Sequence, residues 1–489
     1  MLDGSGSVLL VLVFRRWLRR PRARSRAVTE GAHEEAGAGR ARGPLEWLLS
    51  PLADLRGGEG LTALALAAQV FVLLFGYYLL KVTREALITP LEGGPRLKAA
   101  AAAGMAVLLV PLLRGYDALS ERVGRAPLLG ATTVGFAGCL VVFGALANAW
   151  HGSAPLAVAF FVFVGIFNVF VIAQFWSFAN DLYAPGAGRR LFGLVAVGSA
   201  AGGIVGAKTA KWFFDATAQG RLMFAAAALL FVALGLARSV GARESGRPRA
   251  SGGAGTAGAP LDAGGGWALL ARSRYFQLIA LLLVVYNCVN SVGEFVLTSG
   301  VREAAKASGQ APEAFVASFM GDFFGGVNAL TLGLQLFVVS RLLSRAGVRA
   351  ALFVMPVVAL GGYLAMGALL TLPVIRAAKT AENALDYSVQ STTRQALWLV
   401  ATREEKYKAK ALVDTFFVRI GDVAAFGVIT LGLDVLGLST RGFALVNVGL
   451  VLVWLAVVWG IAREHARRAA VFEAAAPGAP DTESAHASA

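Results

Sequence analysis

From residue 61 to about residue 461, long apolar runs alternate with short polar segments. Runs of this kind match the hydrocarbon core of a bilayer, which a helix crosses in about 20 residues. The pattern predicts twelve membrane spans in two sets of six. The first set lies near 61–88, 99–113, 128–148, 155–178, 191–208 and 222–236. The second lies near 275–298, 318–340, 350–371, 382–402, 409–432 and 442–461. Residues 237–273 separate the sets; they open basic and Gly/Ala-rich, without apolar periodicity, and read as a flexible linker. The expected organisation is a basic tail (1–60), a six-helix half (61–236), the linker (237–273), a second half (274–462) and a polar tail (463–489).

Composition supports an all-α membrane protein. The 489 residues are 57% hydrophobic and only 15% charged, and the mean hydropathy is +0.64. A net charge of +15 raises nucleic acid as a partner, but no soluble basic domain is present to hold it. Instead, Lys and Arg gather in alternate connections, as the positive-inside rule predicts for a chain with both termini cytoplasmic. Arg84, Arg96 and Lys98, Arg302 and Lys306, and Arg376 and Lys379 fall on the opposite side as exceptions. Cys139 and Cys288 lie in apolar runs and read as packing residues. His33, His151, His465 and His486 fall in loops or tails, which argues against a His-based catalytic centre, metal site or proton relay. No enzyme activity and no cofactor are therefore expected. At the N-terminus, the apolar run 8–14 precedes its basic residues, the reverse of a signal peptide. It reads as a cytoplasmic tail, with an organellar targeting segment or a misassigned start as alternatives.

Charges inside the spans point to function. Glu382, Asp386, Gln390 and Arg394 recur every fourth residue, so a regular helix presents them as one polar stripe. Lys406, Lys408 and Lys410 follow, and then Asp414, Arg419 and Asp422 in the next span. Each ionisable group at membrane depth costs about 2.5–3.5 kcal/mol on insertion scales, so such groups mark a pathway or a partner. Arg394 has no opposite charge within one turn on its own helix and is the leading candidate for a substrate anchor. Arg419 and Asp422, three apart, either bind substrate or pair with each other. Glu294 and Asp322 read as proton-coupling carboxylates or as partners of these arginines. Gly198, Gly202 and Gly206, four apart, suit close helix packing.

The halves carry traces of duplication. Tyr77 precedes Glu85 by eight residues, as Tyr286 precedes Glu294, with Lys81 and Asn290 each four after the tyrosine. Trp176 and Trp398 end the fourth and tenth spans. Parallel six-helix halves are the plan of major-facilitator transporters. That plan places the first, fourth, seventh and tenth helices around a cavity and every third helix against lipid. Spans three, six, nine and twelve here lack Asp, Glu, Lys and Arg, as the plan requires.

Two motifs bear on this reading. RGYDALSERVGRAP resembles the major-facilitator loop between spans two and three, with Asp117, Gly124 and Arg125 matching and its second Arg absent. GGIVGAKTA from Gly202 falls short of a phosphate-binding loop, because it lacks adjacent Gly-Lys and lies in an apolar helix.

YYLLKVTREALI, FWSFANDL with GRRLFG, and REEKYKAKALVD resemble the ATP/ADP translocases, nucleotide exchangers of plastids and intracellular bacteria that have many bacterial relatives. The likeness spans about residues 60–462. It implies that Arg84, with Lys81 and Glu85, and the Lys-x-Lys-Ala element of Lys408, Lys410 and Ala411 take part in nucleotide exchange. The chain departs from that family in span four, where Asn168 and Gln174 replace an acidic residue. It departs again in span eleven, where Arg419 and Asp422 stand near a lysine position.

The expected substrate contacts are thus Lys81, Arg84, Glu85, Glu294, Asp386, Arg394, Lys408, Lys410, Arg419 and Asp422. The expected function is exchange of nucleotides or related phosphorylated anions by a monomer in a bacterial inner membrane. The alternative is a proton-coupled transporter of an unrelated small solute.

Overall fold

The computed structural model describes residues 43–44, 47, 59–123, 125–182, 185–244, 263–402, 405, 409–410 and 412–474. Two compact units are distinguished. Of the first, residues 1–50 with 55–60, only 43, 44, 47, 59 and 60 are described. The second, residues 51–54 with 61–489, holds the helix bundle.

The first six helices are α1 Gly60–Ile88, α2 Gly94–Arg122, α3 Arg125–Ala149, α4 Ala154–Leu182, α5 Pro185–Phe213 and α6 Arg221–Glu244. A short helix, Ala263–Arg272, lies in the segment expected to be a linker. Six more follow: α7 Arg274–Ala307, α8 Pro312–Leu334, α9 Ser340–Ala368, α10 from Leu372–Leu385 onward, α11 through Val418–Asp434, and α12 Thr440–Ala474. No strand occurs among the described residues. All twelve expected spans are present, most of them longer than their apolar cores.

Eight stretches are long and apolar enough to cross a membrane by composition, one of them covering both α8 and α9. The helices that fall short are α5, α10 and α11. The first carries Lys208 and Lys211, the second Lys379, Glu382, Asp386 and Arg394, and the third Arg419 and Asp422. Those same charges find partners inside the bundle.

Glycine explains how tightly α5 packs. A Cβ built at Gly198, Gly202 or Gly206 would overlap the backbone carbonyl of Ala67, Phe71 or Phe75 respectively. The stripe therefore lets α5 lie directly against α1, the role its spacing predicts.

Three helices depart from regular α geometry. Wide π turns occupy Gln335–Val339 after α8, Asp386–Gln390 within α10 and Val413–Phe417 before α11. Beyond its π turn, α10 continues as Ser391–Leu397 and ends in a tight turn, Trp398–Val400. It also begins ten residues before the expected 382, with Pro373 in its first turn, where a missing N–H costs nothing. Such π turns are frequent at functional sites.

The end where α6 finishes is the linker end; the opposite end, where α1, α5, α7 and α11 finish, is the distal end. Contacts between the halves cluster toward the distal end. Arg96 on α2 makes a two-pronged ion pair with Asp434 on α11, at 2.9 and 2.6 Å. Asp322 on α8 accepts from Lys208 (2.5 Å) and Lys211 (2.7 Å) on α5. Arg302 on α7 donates to the Leu91 carbonyl at 3.0 Å, and Tyr78 on α1 donates to Asn328 on α8 at 3.1 Å. The halves are locked together there.

Candidate functional site

Lys81, Arg84 and Glu85 fall in the last two turns of α1, with Lys81 about 10 Å from its distal end at 1.5 Å per residue. Lys98 lies just past the first turn of α2, Glu294 lies in α7, and Lys379 and Glu382 lie one turn apart in α10. The bundle brings these residues together.

The result is a chain of alternating charge that crosses from one half to the other. Arg84 Nε lies 3.4 Å from Glu85 Oε1, and Lys98 donates to Glu85 Oε2 at 2.8 Å. The same ammonium donates to Glu294 Oε2 at 3.2 Å and to Thr298 Oγ1 at 3.4 Å. Glu294 Oε1 is 3.7 Å from Lys379 Nζ and accepts from Asn383 at 3.3 Å. Lys379 lies 3.0 Å from Glu382 Oε1 and donates to Asn290 at 3.2 Å. The chain ends where Tyr363 on α9 donates to Glu382 Oε2 at 2.8 Å. Lys379 is fully buried and Glu382 almost so, which burial permits only when charges are paired and hydrogen-bonded. Gly293 makes room for this: a Cβ there would collide with the Tyr363 hydroxyl and reach 3.0 Å from Lys379 Nζ.

Lys81 stands beside this chain and outside its pairing. Its ammonium is buried, and among the described residues no carboxylate lies within ion-pair distance. It faces aromatic rings instead: Phe324 at 4.1 Å, Tyr78 at 5.1 Å, Tyr77 at 5.8 Å and Tyr387 at 5.9 Å. Tyr77 and Tyr78 come from α1, Phe324 from α8 and Tyr387 from α10, so both halves build the cage. Tyr387 is its exposed wall, at 40%. Arg84 turns the other way, its guanidinium 4.4 Å from the Phe161 ring on α4.

The α10 stripe differs from its regular-helix form. A π turn occupies Asp386–Gln390, in the middle of the stripe, and the four polar positions make different contacts. Glu382 joins the charge chain. Asp386 meets Tyr286 on α7 and interacts electrostatically with Arg394, whose guanidinium lies 5.3 Å from the same tyrosine ring. Arg394 is thus not the isolated charge that regular spacing implies. Gln390 is fully buried with both amide atoms unpaired, and Asp386 Oδ1 is unpaired as well.

The remaining candidates lie elsewhere. Arg419 pairs with Asp422 at 3.3 Å, the intrahelical alternative, and Asp422 also accepts from Asn287 (2.7 Å) and Ser291 (3.1 Å) on α7. Lys410 donates to Gln395 at 2.6 Å near the linker end, on exposed side chains. Lys408 and much of REEKYKAKALVD lie outside the described residues, as do the side chains of Asp117, Arg125, Arg189 and Arg190. GGIVGAKTA runs within continuous helix. Glu294 and Asp322, expected as proton-coupling carboxylates or as partners of arginines, pair with lysines.

Lys98 and Lys379 were not among the expected contacts; their positions read as loop charges on the wrong side for the charge rule. Both are in helices and buried. The signal available for Lys379 is its i,i+3 spacing to Glu382.

The sequence matches no protein-family model and no curated protein. Solved structures do match. A bacterial homologue of the human lysosomal transporter Spinster, inward-facing and unoccupied, is 12% identical with a TM-score of 0.56, over 83% of this chain and 98% of that one. The nucleoside transporter NupG is 10% identical with a TM-score of 0.59, over 80% and 98%. An inward-facing bacterial homologue of the iron transporter ferroportin is 14% identical with a TM-score of 0.57, over 82% and 98%. The chain has their fold, an all-α membrane bundle of the major-facilitator type.

Proposed function

We propose that this chain is a secondary transporter that exchanges small phosphorylated anions, of nucleotide or organic-phosphate type, by alternating closure of its halves. The charge balance around Lys81 carries this reading. Arg84, Lys98 and Lys379 are matched by Glu85, Glu294 and Glu382. Lys81 is the cation left over. A desolvated ammonium gains most from an anion arriving from solution. Aromatic faces attract it but leave its charge in place, so the cage holds Lys81 ready while Tyr387 borders the approach. The unpaired polar atoms of Asp386 and Gln390, together with Arg394, are further groups on the same helix for the rest of the substrate.

The segment that resembles the nucleotide exchangers, YYLLKVTREALI, supplies Lys81, Arg84 and Glu85. One protein of similar fold is a nucleoside transporter. Both favour a nucleotide-like cargo. With both termini cytoplasmic in a bacterial inner membrane, the locked distal end faces outward. Binding energy then helps separate the distal contacts, and the exchange gradient drives the cycle.

The second reading, proton coupling, draws on Glu294, which bridges lysines of opposite halves; protonating it would loosen that bridge. Proteoliposomes separate the two. Uptake of labelled ATP, ADP or another organic phosphate should require unlabelled counter-substrate inside. Uptake that needs no counter-substrate and collapses with the proton gradient would overturn the exchange reading.

A further inference from the structure

A groove of about 500 Å³ opens at the linker end between α9 and α12. Arg349, Phe353, Trp459, Arg463 and Arg467 line it. Gly347, at φ 75°, breaks the start of α9 two residues before Arg349; this positive φ suits glycine. Arg467 is paired with Glu464 at 3.0 Å. Arg349 and Arg463 have no carboxylate within ion-pair distance among the described residues, and Arg463 rests 4.5 Å from the Trp459 ring.

The positions continue along the outer face of both helices. On α9, Arg349, Phe353, Val357 and Leu364 follow helical spacing, and Val357 and Leu364 are exposed. On α12, Leu452, Trp459 and Arg463 do the same, with Leu452 and Trp459 exposed. An apolar stripe therefore leads down each helix to an aromatic ring, Phe353 on α9 and Trp459 on α12, and then to arginine. That order matches the cross-section of a bilayer leaflet: acyl chains, the aromatic belt, then headgroups.

We propose that this groove binds the headgroup of an anionic phospholipid. Arg349 and Arg463 would grip the phosphate diester, for which planar guanidinium groups are suited. Trp459 would sit at the glycerol level, and the acyl chains would lie along Val357, Leu364 and Leu452. The site lies on the lipid-facing exterior and is separate from the cage of Lys81.

Native mass spectrometry of the full chain, released from nanodiscs containing equal phosphatidylglycerol and phosphatidylcholine, tests this. The expected result is selective retention of phosphatidylglycerol, falling roughly fivefold for each arginine removed in Arg349→Gln and Arg463→Gln. Both side chains are exposed, so the variants should fold, and a thermal-shift series with the same two lipids checks it independently. Phosphatidylglycerol should raise the wild-type melting temperature and leave the double variant unmoved. Equal retention of both lipids, or undiminished retention by the double variant, would overturn the proposal. So would inorganic phosphate alone protecting the wild type as well as the lipid does.

Discussion

Glu85 on α1 and Glu294 on α7, each eight residues after a tyrosine in its own half, close on the same ammonium group of Lys98, at 2.8 and 3.2 Å. A sequence repeat thereby becomes a contact between the halves. Lys98 is 8% exposed and Glu85 1%, so the pairing is made largely out of water. Removing one partner from a buried pair strands the others, at about 3–5 kcal/mol.

Lys98→Met should therefore lower the melting temperature of the purified protein sharply. Adding Glu85→Gln should recover part of the loss, because one stranded carboxylate is gone. A single Lys98→Met variant that melts with the wild type would show that the contact does not hold the halves together.

The Arg96–Asp434 pair should behave differently. Its side chains are 42% and 48% exposed, and exposed pairs contribute about 0–1 kcal/mol. Arg96→Ala is expected to shift melting little, with the shift vanishing at high salt. A salt-independent loss comparable to that of Lys98→Met would assign this surface pair the locking role instead.

Gly202 tests the packing of α5 on α1. A side chain there meets the Phe71 carbonyl, and overpacking of this kind costs about 1–3 kcal/mol. Gly202→Val should reduce folded yield in membranes, whereas Gly235→Val, at an open position on α6, should not. Equal yields would place the α1–α5 contact among the tolerant ones.

Some of this architecture is legible in the sequence. The span count, the glycine stripe and the Tyr77/Glu85 and Tyr286/Glu294 register all depend on local spacing, and local spacing survives in a bundle. The charge chain was hidden for two reasons. Lys98 and Lys379 lie four and seven residues after the first residues of their helices, so they read as loop charges, and their partners come from other helices. The π turn at Asp386–Gln390 and the approach of Arg394 to Tyr286 of another helix were hidden because neither leaves a mark in local spacing. Lys81 was visible as a charge in α1. Its lack of a carboxylate appears only once the carboxylates around it are matched to other bases.

Lys81 decides the account. Because it belongs to no ion pair among the described residues, Lys81→Gln should fold and melt close to wild type, unlike Lys98→Met. Equilibrium binding of labelled nucleotide to the purified proteins is the direct measurement. Lys81→Gln should lose at least about tenfold in affinity, the loss of roughly one charge-assisted contact, while Lys81→Arg keeps most of it. Unchanged affinity in a folded Lys81→Gln protein would contradict the assignment of this lysine as the anion anchor.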